Sequence, residues 1–213
     1  MRLRKKPKAL STLEANQHLI IFKPEEKKGN WKSHFDNNNP LYVELGTGKG
    51  KFIVENSYRH PEINFIGIDS KYDVIYMALK KALEKEVKNL ALLPFNVENI
   101  NEIFDKEEVD RLFINFCDPW PKARHAKRRL THNRFLEKYK LFLKDGAQII
   151  LKTDNRPLFD FSIEEFRAAN LDIINITYDL AAENDPENIP TEYETKFMEQ
   201  GVKINRLKAV YRA

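Results

Sequence analysis

Hydrophobic and polar positions follow two alternating patterns from residue 41 onward. Short apolar runs rich in β-branched and aromatic residues predict strands, and the stretches between the first five runs carry apolar residues at helical spacing, as in residues 74–83. The runs fall at residues 41–45, 63–68, 90–95, 112–117, 148–151, 173–178 and 203–210. This alternation indicates an α/β fold with a doubly wound, mostly parallel sheet of about seven strands. Because the last two runs are close together in the chain, we expect the final strand to be antiparallel.

The chain before residue 41 lacks this alternation. We therefore predict a basic N-terminal arm and irregular or weakly helical lead-in over residues 1–40, and one domain over residues 41–213. A hydrophobic share of 42% is enough for a core, and a charged share of 32% with a mean hydropathy of -0.59 is typical of a soluble protein. The sequence shows no signal peptide and no apolar run of membrane-spanning length, which predicts a cytoplasmic protein without a membrane partner.

Charge is concentrated in two places, although the net charge is only +4. Residues 1–8 and residues 122–129 each carry five lysines or arginines and no acid. Two basic blocks in an otherwise balanced chain favour a polyanionic partner such as a nucleic acid. The alternative is that each block is simply a solvated charged surface.

The single cysteine, Cys117, excludes an intramolecular disulfide and a cysteine-cluster zinc site. No set of metal ligands surrounds His125 or His132, so we expect no metal. Cys117 is a conceivable nucleophile for a pyrimidine C5-methyltransferase, but its place in an apolar strand favours an inert buried thiol. Phe65, and Phe113 with Phe116 in the Cys117 run, are predicted to lie in the core.

A carboxylate or amide side chain marks the end of each of the first five predicted strands. In open α/β sheets, ligands bind outside the carboxyl ends of the strands. Each residue alone is typical of a helix cap or turn, but five at one edge predict a crevice lined with oxygen acceptors. The five residues are Glu44, Asp69, Asn96, Asp118 and Asp154.

A glycine loop follows the first strand, with glycines at positions 46, 48 and 50. Such a loop lets a ligand approach the backbone closely, and Asp69 follows at about the spacing where an acid binds a ribose. The surrounding carboxylates favour a nucleoside with positive groups, and S-adenosylmethionine fits. A nicotinamide dinucleotide is disfavoured because the glycine spacing differs from its fingerprint and because Glu44 and Asp118 would repel its pyrophosphate.

The segment 115–122 places Asp118 between an apolar strand and a rigid turn that contains Trp120. The basic run follows at once, and together they suggest chemistry on a nucleic-acid base. Enzymes that methylate an exocyclic base amine carry a similar turn in which the aromatic residue follows both prolines. Here the aromatic residue precedes the second proline, so that activity is kept as the alternative. A non-catalytic RNA-binding module is a further alternative, disfavoured by the glycine loop and the acidic strand ends.

At these positions the chain resembles the bacterial tRNA (guanine-N7)-methyltransferase family. The resemblance extends along the whole chain and is carried by residues 44–50, 115–122, 124–130, 152–155 and 191–194. It implies a Rossmann-like class I methyltransferase fold. It also implies transfer of a methyl group from S-adenosylmethionine to N7 of guanosine 46 in the variable loop of tRNA. The sequence leaves open whether the protein is a monomer or a homodimer.

The resemblance also implies roles for individual residues. Cofactor contacts are expected at Glu44, Asp69, Asn96 and Asp118, beside the glycine loop with Gly46 and Gly48. Asp118 is the predicted catalytic residue, because a carboxylate stabilises the cationic product guanine. Substrate contacts are expected at Lys122, Asp154, Thr191, Glu192, Tyr193 and Glu194, and RNA contacts at Arg124, His125, Ala126, Lys127, Arg128 and Arg129. The spacing of Thr191 and Glu194 also matches a helix capping box.

Overall fold

The computed structural model describes residues 7–213, with side chains from Ala9 onward. The chain divides into two compact units, which meet in sequence between Phe104 and Asp105. The basic side chains predicted to form an arm at residues 1–8 lie outside the described part of the chain. The domain boundary predicted at residue 40 stays a prediction.

The first unit is built on three parallel strands in the order β3-β2-β1. The strands are β1 (Leu41–Leu45), β2 (Asn64–Asp69) and β3 (Leu90–Pro94). The helices are α1 (Pro7–Glu14), α2 (Trp31–Phe35), α3 (Lys51–Arg59) and α4 (Tyr72–Glu84), with 3-10 helices at Pro24–Lys27 and Val97–Glu102. The register of β1 on β2 pairs Leu41 with Asn64.

Residues ahead of β1 contribute to the core of the first unit. Leu13 and Leu19 are fully buried in the same cluster as apolar side chains of α3, α4 and β3. Ile20 forms a parallel bridge with Leu92 of β3, so the lead-in extends the hydrogen bonding of that strand. Trp31 is buried, and its indole Nε1 donates a hydrogen bond to the carbonyl oxygen of Ile103 at 2.8 Å. The described lead-in is therefore packed structure with short helices.

The second unit contains four strands in the order β4-β5-β7-β6. The strands are β4 (Val109–Asn115), β5 (Leu143–Thr153), β6 (Asp172–Thr177) and β7 (Asn205–Val210). The helices are α5 (Asn133–Lys140), α6 (Arg156–Ala168) and α7 (Glu192–Glu199), with 3-10 helices at Ala123–Arg128 and Leu180–Glu183. Strand β4 is parallel to β5, whereas β7 runs antiparallel to both β5 and β6.

The predicted α/β class, the strand number and the antiparallel last strand are confirmed: the described residues form a seven-stranded mixed sheet. The predicted bounds differ most from the observed ones in two strands, β4 and β5. Strand β5 begins at Leu143 and continues through Gly146, whose amide donates to the carbonyl of Tyr211 at 2.9 Å. Strand β4 ends at Asn115 because Phe116 turns into the left-handed region with φ of 49°.

Gly50 is a close-packing position in the first unit and supplies a stability test. Its φ is 78°, and an added Cβ would lie 2.4 Å from the Cβ of Ala78 on α4. We expect Gly50→Ala to cost roughly 1–2 kcal/mol for the left-handed conformation and a further 1–3 kcal/mol for overpacking. The free energy of unfolding in urea measures the loss.

Gly201→Ala is the matched control, because Gly201 has φ of 71° and nothing within 4 Å of an added Cβ. It should show only the conformational part of the cost. Equal losses in the two variants would contradict the packing role assigned to Gly50.

Candidate active site

The glycine loop after β1 presents its backbone to open space. Gly46 and Gly48 have φ of 74° and 55°, a region that glycine adopts without steric cost. The amides of Gly46 and Thr47 both donate to the carbonyl of Ile68 in β2, at 2.8 and 3.0 Å, so the loop is fixed to the sheet. A Cβ added to Gly46 would meet nothing within 4 Å, which leaves room for a ligand against the exposed loop.

The carboxylates of the first unit hold this loop in place. Glu44 is 2% exposed and accepts a hydrogen bond from the hydroxyl of Thr47 at 2.6 Å. Asp69, at the end of β2, accepts from the amide of Gly48 at 3.3 Å through Oδ2 and from the amide of Lys71 at 3.0 Å through Oδ1. The bond from the Gly48 amide to Asp69 is long, so a hydroxyl group of a ligand could take the place of that amide at little energetic cost.

Asn96 follows β3 and is exposed. Its Oδ1 accepts a hydrogen bond from the amide of Glu98 at 3.0 Å and thereby caps a 3-10 helix. Asn96 therefore has the helix-capping role that the sequence offered as the alternative to ligand binding. The loop, the two carboxylates and this amide lie at or after the ends of β1, β2 and β3, and together they make up an acceptor-rich set.

In the second unit, Asp118 lies in a turn directly after β4. Two non-glycine residues of this turn, Phe116 and Trp120, have left-handed φ values of 49° and 42°. Each costs about 1–3 kcal/mol, and such strain clusters at functional sites. Asp118 is exposed, and within residues 7–213 its carboxylate makes no hydrogen bond or ion pair. The carboxylate is thus available to a ligand.

Cys117 lies in the same turn rather than inside β4, as the sequence pattern had predicted. Desolvation by the surrounding protein, and then the charge of Asp118, raise the pKa of its thiol to about 12. A thiol with this pKa holds almost no thiolate at neutral pH, and the thiolate is the nucleophile. Cys117 is partly exposed, so the prediction that its thiol is buried inside a strand is wrong. The raised pKa still favours an inert thiol over a nucleophile.

The basic run forms a 3-10 helix, Ala123–Arg128, followed by Arg129. Lys122, Arg124, Lys127 and Arg128 are exposed, while His125 and Ala126 are partly exposed. The side chain of Trp120 packs against this helix: His125 meets the ring edge-on at 5.8 Å, and the guanidinium of Arg128 lies 4.9 Å from its centre. Trp120 is a loop residue, as its flanking prolines indicated.

Asp154 follows β5 directly and is partly exposed. Among the described residues its carboxylate, like that of Asp118, makes no hydrogen bond or ion pair. The next residue, Asn155, caps α6 by accepting from the amide of Leu158 at 2.9 Å. Helix capping is therefore done by the neighbour, which leaves Asp154 free for another partner.

The segment 191–194 contains the capping box predicted from its spacing. Thr191 Oγ1 accepts from the amide of Glu194 at 2.9 Å, and the Glu194 carboxylate accepts from the amide of Thr191 at 3.4 Å. These two residues are buried, whereas Glu192 is partly exposed and Tyr193 is 58% exposed. Thr191 and Glu194 therefore cap the start of α7, whereas Glu192 and Tyr193 face the solvent.

A buried ion pair joins this helix start to β5. The ammonium of Lys152 lies 3.1 Å from Glu194 Oε2, with the two side chains 5% and 0% exposed. Lys152 also donates to the carbonyl of Ile189 at 3.2 Å and to the side chain of Asn188, whose amide in turn donates to Glu194 at 2.7 Å. The pair is thus surrounded by partners, which a buried charge requires.

A second ion-pair cluster anchors the segment that leads into α7. Arg206 of β7 is nearly buried and forms ion pairs with Asp185 at 2.6 Å and with Glu183. Its hydrogen bond lowers the pKa of Asp185, an effect that Lys208 reinforces. The segment before α7 is therefore tied to the sheet at two points.

Three aromatic rings from two segments lie together in the second unit, which sequence reasoning missed. Phe116 stacks on Tyr193 and on Phe197 with centroids 6.1 Å apart in both pairs, and Tyr193 stacks on Phe197 at 6.4 Å. Phe116 is partly exposed, so its predicted place in the core is wrong. The signal that could have indicated the cluster is the spacing of four residues between Tyr193 and Phe197, which places them on one helix face.

Two further findings concern only residues 7–213. No group of three or more histidine, cysteine, aspartate or glutamate side chains there is arranged to hold a metal ion. In the same range, every helix falls short of the length and apolar character needed to cross a membrane.

Comparison with known proteins identifies the class of this fold. The 16S rRNA methyltransferase KamB superposes with a TM-score of 0.64 at 12% identity, covering 87% of this chain and 94% of that one. Phosphoethanolamine N-methyltransferase 2 of Haemonchus contortus, solved in complex with S-adenosyl-L-methionine, superposes with a TM-score of 0.54 at 11% identity over 83% of this chain and 49% of that one. The fold is that of the class I methyltransferases.

Sequence similarity places the chain more narrowly. A family model described as "Putative methyltransferase" matches residues 38–207. The tRNA (guanine-N(7)-)-methyltransferase of Clostridium acetobutylicum is 48% identical over 209 residues, covering 98% of this chain and 99% of that protein. The chain belongs to the tRNA (guanine-N7)-methyltransferase family and is a methyltransferase, which confirms the resemblance seen in its motifs.

The buried pair of Lys152 and Glu194 gives a stability prediction. Lys152→Met leaves the Glu194 carboxylate buried without its cation, and we expect a loss of about 3–5 kcal/mol in the free energy of unfolding. The double variant Lys152→Met/Glu194→Leu removes both charges and should be more stable than the single one. Urea unfolding of the three proteins tests this; a single variant as stable as the wild type, or a double variant no better than the single, would contradict it.

The thiol of Cys117 gives a reactivity prediction. With a pKa near 12 instead of about 8.5 in an unfolded chain, the folded protein should hold roughly a thousandfold less thiolate at pH 8. Alkylation by iodoacetamide, followed by mass spectrometry, should therefore be slow in the native protein and fast in urea. Equally rapid alkylation in both states would show that the thiol is accessible and ionised.

Proposed function

We propose that this chain transfers the methyl group of S-adenosylmethionine to N7 of guanine in tRNA, at guanosine 46 of the variable loop. The observation that carries the proposal is the exposed Asp118 carboxylate, which has no partner among the described residues and lies in a strained turn directly before a basic helix. Family membership supplies the reaction class, and the chemistry of this turn fits a cationic product beside a polyanion.

Cofactor binding is assigned to the acceptor-rich set of the first unit. Glu44 and Asp69 would hold the cationic and hydroxyl groups, Asn96 would offer its amide, and the open backbone at Gly46 and Gly48 would allow close approach. S-adenosylmethionine supplies an electrophilic methyl group when it is bound. Asp118 is proposed to contact the cofactor as well as the substrate. The acidic character of the set favours this cationic nucleoside over a dinucleotide.

Methylation of guanine N7 requires correct positioning of the substrate and stabilisation of charge, and it requires no general base. N7 carries an in-plane lone pair and no proton, so no group has to remove a proton before attack. The ring becomes cationic as the new bond forms, and a fixed carboxylate stabilises that charge. Asp118 is assigned this role, and its lack of a protein partner means that its charge is not already neutralised. Correct placement of the base supplies the remaining effect.

Substrate binding is assigned to the second unit. Asp154 and Lys122 are exposed or partly exposed polar groups, suited to a base edge and a phosphate. Glu192 and Tyr193 would contact the RNA directly, while Thr191 and Glu194 contribute by fixing the start of α7. The exposed basic side chains of residues 124–129, namely Arg124, Lys127 and Arg128, would bind the tRNA backbone, where lysine and arginine displace counterions from phosphates.

Asp118→Asn tests the catalytic assignment. The substitution keeps the size of the side chain and removes its charge, and we expect the rate of methyl transfer to fall by about a hundredfold or more. Stability should be unchanged, because Asp118 has no hydrogen bond or ion pair to lose within the described residues. Single-turnover transfer of labelled methyl to tRNA and urea unfolding measure the two quantities.

The same assay tests the target. Wild-type protein should form N7-methylguanosine at guanosine 46 of a tRNA transcript and should leave a transcript with adenosine at that position unmodified. Methylation at an exocyclic amine would favour the alternative base-amine activity. Near-normal transfer by a folded Asp118→Asn variant would show that the catalytic role is misassigned.

A further inference from the structure

Arg129 differs from its neighbours in the basic run, because its side chain is directed at the protein backbone. Its Nε donates to the carbonyl oxygen of Pro119 at 3.0 Å, and its Nη2 donates to the carbonyl oxygen of Trp120 at 3.1 Å. The guanidinium also lies 4.3 Å from the centre of the Phe161 ring on α6. The planar guanidinium of Arg129 thus donates hydrogen bonds to two successive carbonyls and makes a cation–π contact with an aromatic ring.

Lys127 and Arg128 differ from Arg129 in their contacts. Lys127 is exposed, and its side chain makes no hydrogen bond among the described residues. Arg128 is exposed with its guanidinium 4.9 Å from the Trp120 ring. Arg129 is partly buried, and its hydrogen-bonding capacity is partly used inside the protein. The run therefore consists of outward charges and one inward charge.

The two carbonyls that Arg129 binds belong to the residues directly after Asp118. Trp120 carries a left-handed φ of 42°, which a bulky residue adopts only when its surroundings impose it. Hydrogen bonds from a charged donor are stronger than neutral ones, so the guanidinium is well suited to impose this conformation. These two hydrogen bonds connect Arg129 to the turn that carries the Asp118 carboxylate.

We propose that Arg129 is a positioning residue that holds the turn 118–120 for methyl transfer, rather than a phosphate contact as its place in the basic run predicted. Only the expected effect of Arg129 on the rate of methyl transfer rests on the proposed function. The hydrogen bonds from Arg129 to the turn can be tested without substrate. Lysine cannot replace Arg129, because an ammonium lacks the planar fork that reaches both carbonyls while lying on a ring.

The experiment compares Arg129→Lys with Lys127→Ala, a control that removes an outward charge. For Arg129→Lys we expect the rate constant of transfer to fall by about a hundredfold, as misplacement by about 1 Å can cost this much. The tRNA dissociation constant and its salt dependence should stay as in the wild type. Lys127→Ala should instead weaken tRNA binding and reduce the log-log salt slope by about one.

Tryptophan fluorescence gives a readout that needs neither tRNA nor cofactor. The chain has two tryptophans, and Trp31 is only 1% exposed, so quenching by acrylamide reports mainly on Trp120. Arg129→Lys should increase the quenching of Trp120 because the turn loosens. Phe161→Leu, which removes the ring under the guanidinium and keeps every charge, should change quenching and rate in the same direction but less.

The outcomes separate this inference from the proposed function. If wild-type protein fails to methylate tRNA, the proposed function fails, and the quenching comparison still decides the role of Arg129. Unchanged quenching in Arg129→Lys would overturn the inference, as would a salt slope that falls as much as in Lys127→Ala. A rate loss in Arg129→Lys with normal tRNA affinity and increased quenching would support it.

Discussion

The buried ammonium of Lys152 is the interaction on which the second unit depends most. Lys152 lies in β5 between Asn115 of β4 and Arg206 of β7, and its carbonyl accepts the amide of Phe116 at 2.8 Å where β4 ends. Its side chain binds Glu194 and the carbonyl of Ile189. A buried cation is costly unless its partners are fixed, so this residue constrains the strand end, the segment before α7 and the helix start together.

Burial and pairing separate charges that support the fold from charges that can act on a ligand. Glu194 is a buried carboxylate with protein partners, whereas Asp118 and Asp154 reach solvent and pair with nothing in the described part of the chain. The same distinction divides the basic run, where Arg129 binds backbone carbonyls and Lys127 does not. Residue type alone shows none of this, because both groups contain the same side chains.

Strand positions could be predicted from the sequence because apolar runs bounded by glycine or polar residues carry a strong pattern. The predicted run at 41–45 coincides with β1, and the capping box at Thr191 was readable because both partners lie within four residues. The end of β4 could not be predicted from the sequence, because the apolar pattern continues through Phe116 although the backbone turns there. The pair of Lys152 and Glu194 was also hidden, because 42 residues separate its members and only tertiary packing brings them together.

We expect the unpaired carboxylates Asp118 and Asp154 to act on the substrate, while the buried carboxylate Glu194 holds the fold. The most direct test of this expectation measures two quantities on the same preparations of Asp154→Asn and Glu194→Gln: the free energy of unfolding and the single-turnover rate of methyl transfer to tRNA. We expect Asp154→Asn to lose rate with unchanged stability and Glu194→Gln to lose stability. A destabilised Asp154→Asn protein, or a Glu194→Gln protein that is as stable as the wild type, would contradict the account.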